Sequence, residues 1–151
     1  QTACFENPNL IADLVKEFGG HSIVASVDVK KDVLGRYKLY SKTTKKCRKF
    51  SWNEHLSNLV FWGVGEVVLN SVDNDGTMQG MDLKLVKQAA EAIDVPLISV
   101  GGVGALSDIR SSIDAGSSAV AVGSFFVFHG PHRAVLITYP NYNELEDLLS
   151  K

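Results

Sequence analysis

Four short apolar runs, each stopped by a polar or glycine-rich turn and separated by helical patterns, constrain this chain more than any other feature. Ser22 to Val27 runs into Asp28 and Lys30. Glu66 to Asn70 runs into Asp73, Asp75, Gly76 and Thr77. Pro96 to Val100 runs into Gly101 and Gly102, and Ser118 to Val122 into Gly123 and Ser124. Near-continuous apolar runs that alternate with helices specify a parallel sheet under helical cover. Chemistry in such folds collects where the strands end at their carboxyl side. Four polar strand ends therefore predict one shared site along one edge of one sheet.

The connecting segments carry helix signals. Asn7 reads as a cap and Pro8 as a first-turn residue; Leu10, Ile11, Leu14, Val15 and Phe18 follow at helical spacing until Gly19-Gly20. Ser51 with Glu54 has the form of a capping box for a helix to about Trp62. Further helices are predicted after Asp82 to about Ile93, from a Ser107 cap to about Ala115 with Gly116 as the stop, and from Glu144 to Leu149 with Asn143 as the cap. Residues 29–50 form an unusually long connection. Within it, Arg36 to Tyr40 alternates polar and apolar residues like a hairpin arm.

The chain has 151 residues, enough for one domain with its own core, and 45% of them are hydrophobic. A net charge of -2 gives no general attraction to nucleic acid or membrane. Nine of the fifteen Lys and Arg nevertheless fall between Lys30 and Lys49, with Asp32 the only acid there. That run reads either as a solvated tip or as an anion-attracting loop. Cys4 and Cys47 have neither metal-ligand nor disulfide spacing, which fits a reducing cytoplasm. No apolar run reaches the ~18 residues that span a bilayer. The start at Gln1, without a first strand, reads as a piece of a longer or processed chain.

Two glycine turns after consecutive strands point to phosphate. Glycine lets main chain approach an anion closely, and the N–H groups opening the next helix complement its charge. Gly101, Gly102, Gly123 and Ser124 are the candidates. Asp28 follows an apolar run, where a carboxylate is costly without a partner or a role. It reads equally as a general acid or base or as a buried acid paired with Lys30 or a backbone amide. Asp73 and Asp75 suit a turn as well as a site. The histidines show no metal-binding pair, so neither metal nor cofactor is expected.

The segments Glu6 to Ile11, Ser26 to Lys30, Gly65 to Thr77, Val95 to Gly104 and Ala121 to Ser124 together resemble the cyclase subunit family of imidazole glycerol phosphate synthase, a (βα)8 barrel. The resemblance runs only to the second half of that barrel. It implies a single (βα)4 half-barrel domain over 1–151, strands five to eight of a longer barrel, with outer helices. A full barrel takes about 250 residues.

The family condenses ammonia, delivered by a glutamine amidotransferase, with a phosphorylated ribulosyl-formimino carboxamide ribonucleotide and closes an imidazole ring in histidine biosynthesis. By resemblance, Asp28 is one of two acid/base aspartates, Asp75 a second acid of the site, and Gly76, Gly102, Gly123 and Ser124 hold one substrate phosphate. Lys30, Asn70, Thr77 and Gly101 join the substrate-binding set, and Thr2 belongs to the other phosphate site. Asn70 and Val100 replace a Thr and a Ser that the family often has facing the substrate. The tail from Phe125 to Pro140 also resembles a paralogous branch that works with an amidotransferase and installs acetamidino groups on surface-polysaccharide sugars.

A non-catalytic alternative is a self-assembling, phosphate-binding half-barrel. Its open strand edges, near Ile23 and Val120, would be closed by a homodimer. A bulky residue at Gly102 is then expected to remove anion affinity and leave assembly intact.

Overall fold

The computed structural model describes Cys4 and residues 7–150. In chain order the elements are α1 (Pro8–Phe18), a 3-10 turn (Gly20–Ser22), β1 (Val24–Lys31), β2 (Tyr37–Ser41), β3 (Lys46–Cys47), α2 (Trp52–Phe61), β4 (Glu66–Ser71), α3 (Leu83–Ala90), β5 (Leu97–Val100), α4 (Leu106–Asp114), β6 (Ala119–Ala121), α5 (Ser124–Val127), β7 (Phe128–His129), β8 (Ala134–Val135) and α6 (Tyr142–Leu149). The main sheet has the order β3-β2-β1-β4-β5-β6. Its last four strands are parallel, and β2 and β3 join them antiparallel. The chain is thus an α/β protein with a mostly parallel sheet, as the alternating pattern requires.

Alternation along each strand divides the sheet into two unlike faces. Val27, Val67, Leu69 and Leu97 are buried against Leu56 and Leu59 of α2 and Leu85 and Ala89 of α3, forming the core. Truncating one of these leucines to Ala costs ~2–5 kcal/mol. Ser26, Val68, Ile98 and Val100 on the opposite face are only half-buried, and Ala119 and Ala121 are exposed. Under α4 the packing is polar: the Ser112 hydroxyl lies 2.8 Å from that of Ser99 and 3.0 Å from that of Ser117, all three buried.

β1 continues beyond the expected end at Val27. Its last residues gain a second partner, with Val29 opposite Leu39 and Lys31 opposite Tyr37. Asp28 and Lys30 therefore stand within a strand and not after it. The turn is made by Asp32, whose carboxylate accepts the Leu34 and Arg36 N–H groups at 2.9 and 3.0 Å. The Arg36 backbone bond leads the interactions that hold the Asp32 carboxyl below its ordinary value. The arm anticipated at 36–40 is β2, one residue further on.

Helix starts depart from the simple motif reading. Asn7 and Ser51 occupy cap positions but make no side-chain cap bond. Asp82 does cap α3, accepting from Leu85 N–H at 3.1 Å. Ser107 lies inside α4, because Asp108 satisfies the Gly104 and Ala105 N–H groups at 2.8 and 3.0 Å. Asn143 is likewise inside α6, where Glu144 reaches back to Asn141 N–H at 2.8 Å. Phe18, expected on the inner face of α1, is 62% exposed. Of the two edges expected to be open, the one at β6 is so among the described residues, and the one at β1 is covered in part. The hairpin covers the upper rungs of β1, and Ile23 precedes the strand, whereas β6 has a strand partner on one side only.

Candidate active site

The strand register builds the site. Asp28 is level with Asn70, Asn70 with Val100, and Val100 with Ala121, so one row crosses four strands on the half-buried face. Asn70 Nδ2 donates to Asp28 Oδ1 at 2.8 Å, with both side chains buried. That charge-assisted bond offsets part of the cost of burying the carboxylate. Asn70 Oδ1 is buried and accepts no hydrogen bond from the described residues.

A third charged group completes the cluster. Lys42, in the turn after β2, places Nζ 3.9 Å from Asp28 Oδ1 and 3.5 Å from Asp75 Oδ2. Asp28 and Asp75, remote in sequence, are thus bridged by one ammonium group. The buried-acid reading of Asp28 named Lys30 as its partner, which is not what the fold provides. Lys30 Nζ lies 3.6 Å from Asp73 Oδ1 and 5.5 Å from the centre of the Tyr40 ring. Asp73 also accepts the Lys31 N–H at 2.7 Å, fixing the 71–80 turn against β1.

The glycine turns converge as predicted. Gly76, Gly101, Gly102, Gly123 and Ser124 enclose, with Asp75 and several apolar side chains, a cavity of about 300 Å³. That is the small end of the range for ligand sites. Gly101 and Gly102 both have φ of +103°, and a Cβ on Gly101 would stand 2.8 Å from Ser71 O. A Cβ on Gly102 would collide with Gly80 O, which belongs to the turn whose Gly80 N–H donates to Gly102 O at 2.8 Å. The pair is glycine first because two backbones touch there. The bulky Gly102 substitution is therefore no clean test of anion affinity, since it breaks this packing. Gly123, whose Cβ would meet nothing within 4 Å, is the cleaner position.

Thr77 turns away from this use: its hydroxyl donates to Asn74 O at 2.8 Å and closes its own turn. Asn74, not singled out in the sequence, holds the turn through Nδ2 to Gly80 O at 2.9 Å. Thr2 lies outside the described residues. Lys42 and Arg133 were also missed. Lys42 is one charge in a dense basic run, and Arg133, whose Nη2 donates to Gly76 O at 2.9 Å, has no local pattern to mark it.

Beside the site, the hairpin is anchored to α3. Tyr37 OH donates to Asp82 Oδ1 at 2.8 Å, and Lys31 Nζ lies 2.7 Å from Asp82 Oδ2. Burial pushes the Asp82 carboxyl up, but the hydrogen bonds from Lys31, Tyr37 and the Leu85 N–H prevail and hold it below its ordinary value. Burial, then the bond to Asp82, raises the Tyr37 phenol. The ring also packs edge-on to Trp52 at 5.9 Å.

A parallel α/β sheet with carboxylates, an amide and a glycine-walled cavity at its carboxyl edge defines a class of strand-end ligand sites. Within that class, the chain belongs to the histidine biosynthesis protein family, whose model matches residues 1–132. It is 41% identical over 146 residues to a Pseudomonas aeruginosa protein named "Putative imidazole glycerol phosphate synthase subunit hisF2", covering 96% of this chain and 58% of that one. A Leptospira interrogans protein named "Putative imidazole glycerol phosphate synthase subunit HisF" is 39% identical over 145 residues, 95% of this chain and 57% of the relative. The Thermobifida fusca "Imidazole glycerol phosphate synthase subunit HisF" is 37% identical over 135 residues, 84% and 52% of the two chains. The chain spans little more than half the length of the curated relatives it matches.

Proposed function

We propose that this chain is the strand-five-to-eight half of a cyclase-type (βα)8 barrel, a (βα)4 unit that takes a phosphorylated substrate at its strand ends. The observation that carries the reading is the Asp28–Asn70–Lys42–Asp75 cluster beside the glycine-walled cavity. In that reading the half-buried sheet face is part of a barrel interior, and an N-terminal half closes it. A second copy closes it when the chain is alone, because β6 offers an open edge. Asp28 transfers a proton in the ring-closing reaction, opposite an aspartate on the missing first strand. Lys42 bridges Asp28 and Asp75, and the cavity takes one phosphate. Ammonia comes from a glutamine amidotransferase. The half alone is then weakly active or inactive.

The test is ammonia-dependent imidazole formation by the complete barrel. Asp28→Asn should abolish turnover with substrate binding kept; undiminished turnover would remove Asp28 from the mechanism. Light scattering of the 151-residue chain, with and without phosphate, tests closure, and a monomer in both conditions would count against it.

Asn70 and Val100 favour a second reading. They put an amide and an alkyl group in the row where the resembled family often has hydroxyls, as suits the sugar-modifying branch. Offering the complete barrel the ribonucleotide and a nucleotide-linked sugar in parallel separates the two, since each reading expects turnover of one only.

A further inference from the structure

We propose that Arg133 supplies the positive charge of the strand-end cavity, carried there by the β7–β8 hairpin acting as a strap over its rim. The inference rests on the reading that this cavity holds a phosphate group. Among the described residues, those enclosing the cavity include one carboxylate, Asp75, and no cation. Lys42, outside that wall, is shared between Asp75 and Asp28, so a phosphate dianion held there by main-chain and hydroxyl donors alone would have no cation of its own.

The strap starts at the cavity itself. α5 follows Gly123 directly and runs into β7. Phe128 pairs with Val135 and His129 with Ala134. Leu136 N–H to Val127 O and Thr138 N–H to Phe126 O, both 2.9 Å, extend the ladder back along α5. The returning arm is thereby fixed to the segment that leaves the cavity.

At the tip, Arg133 donates its N–H to Gly130 O at 3.0 Å and has φ of +49°, an uncommon backbone for a residue with a side chain. Its guanidinium carbon lies 4.9 Å from the centre of the Phe128 ring, and Nη2 donates to Gly76 O at 2.9 Å. Gly76 is part of the cavity wall, where a Cβ would stand 3.7 Å from Ser124 Oγ. The guanidinium is therefore bonded to one residue of the cavity wall.

A guanidinium has five N–H donors in a planar fork suited to phosphate, and the Gly76 bond uses one. Arg133 takes part in none of the ion pairs among the described residues.

The experiment is a titration of the 151-residue chain with inorganic phosphate at low ionic strength, followed by NMR of the backbone amides and of the Arg133 Nε–H. In the native chain the Arg133 signal should move with the Gly102 and Ser124 amides and saturate at the same concentration. Arg133→Gln should weaken phosphate binding about tenfold, and Arg133→Lys by less, because it keeps charge but loses the fork. The proposal is overturned if the cavity amides saturate while the Arg133 signal stays still, or if folded Arg133→Gln binds as tightly as the native chain. If no cavity amide responds, the phosphate reading itself fails and takes the proposal with it.

Discussion

Acidification offers a quantitative test of how the core is built. His55 on α2 is 6% exposed, and burial pushes its imidazole down from 6.5 to about 4. The folded chain therefore holds His55 neutral across a range in which the unfolded chain protonates it. The sign follows by linkage: the unfolded state binds the extra proton, so stability is fully present above pH 6.5 and is lost as pH falls toward 4. Two and a half pH units at 1.36 kcal/mol each set a ceiling of about 3 kcal/mol. Relaxation and partial solvation reduce this to roughly 1–3 kcal/mol, a large part of the ~5–15 kcal/mol that usually separates folded from unfolded domains. Urea midpoints measured at half-unit steps from pH 7.5 to 3.5, for the native chain and for His55→Leu, would read it directly. The native midpoint should fall between pH 6.5 and 4, and that of His55→Leu should stay nearly level there. Asp82 acts in a different window. Its carboxyl is held below 3.8, so its contribution is lost only as pH falls through that lower value. Parallel curves for the two proteins between pH 6.5 and 4 would refute the assignment to His55.

Three further outcomes are expected. Gly102→Val should lower stability by at least ~2 kcal/mol in chemical denaturation, through collision with Gly80 O, while Gly123→Ala should leave the midpoint within about 0.5 kcal/mol; equal midpoints would refute the close-approach argument. Ser112→Val removes the middle of the buried hydroxyl chain, takes from Ser99 and Ser117 the partner they share, and should cost roughly 1–3 kcal/mol, also read from a denaturation midpoint. Lys42→Met should change global stability by less than about 1 kcal/mol, since the Lys42 side chain is itself more than half exposed and buried Asp28 keeps its Asn70 hydrogen bond, yet should speed amide exchange in residues 37–47; unchanged exchange would mean that the arm is held by Asp82 alone.

Much of the fold was legible because period and punctuation agree in this sequence. Leu69 and Val67 on one face, with Asn70 and Val68 on the other, give β4 its place, and Gly116 with φ of +111° ends the α4 region as its position suggests. Errors arose where a distant partner decided a local outcome. β1 runs on to Lys31 because β2 pairs with it, and no signal at Asp28 itself reveals that partner. Ser107 loses the cap position to Ala105 because Asp108 is better placed to accept from the turn. At the site, the glycine turns could be grouped by their shared position after strands. The Lys42 and Arg133 contacts could not, because long side chains on turns reach targets that spacing does not encode. The β7–β8 hairpin escaped for a related reason: two-residue strands leave almost no alternation to read.

The cavity wall at Gly101 and Gly102 is main chain pressed against the main chain of Ser71 and Gly80. Substitution cannot easily redecorate such a surface, because any side chain there displaces the fold before it changes the chemistry. Variation is channelled instead into the neighbouring row of Asn70, Val100 and Ala121, which is made of side chains and not of touching main chains. The two neighbouring surfaces therefore have different freedoms to evolve: one is fixed along with the fold, and the other can be rewritten one residue at a time.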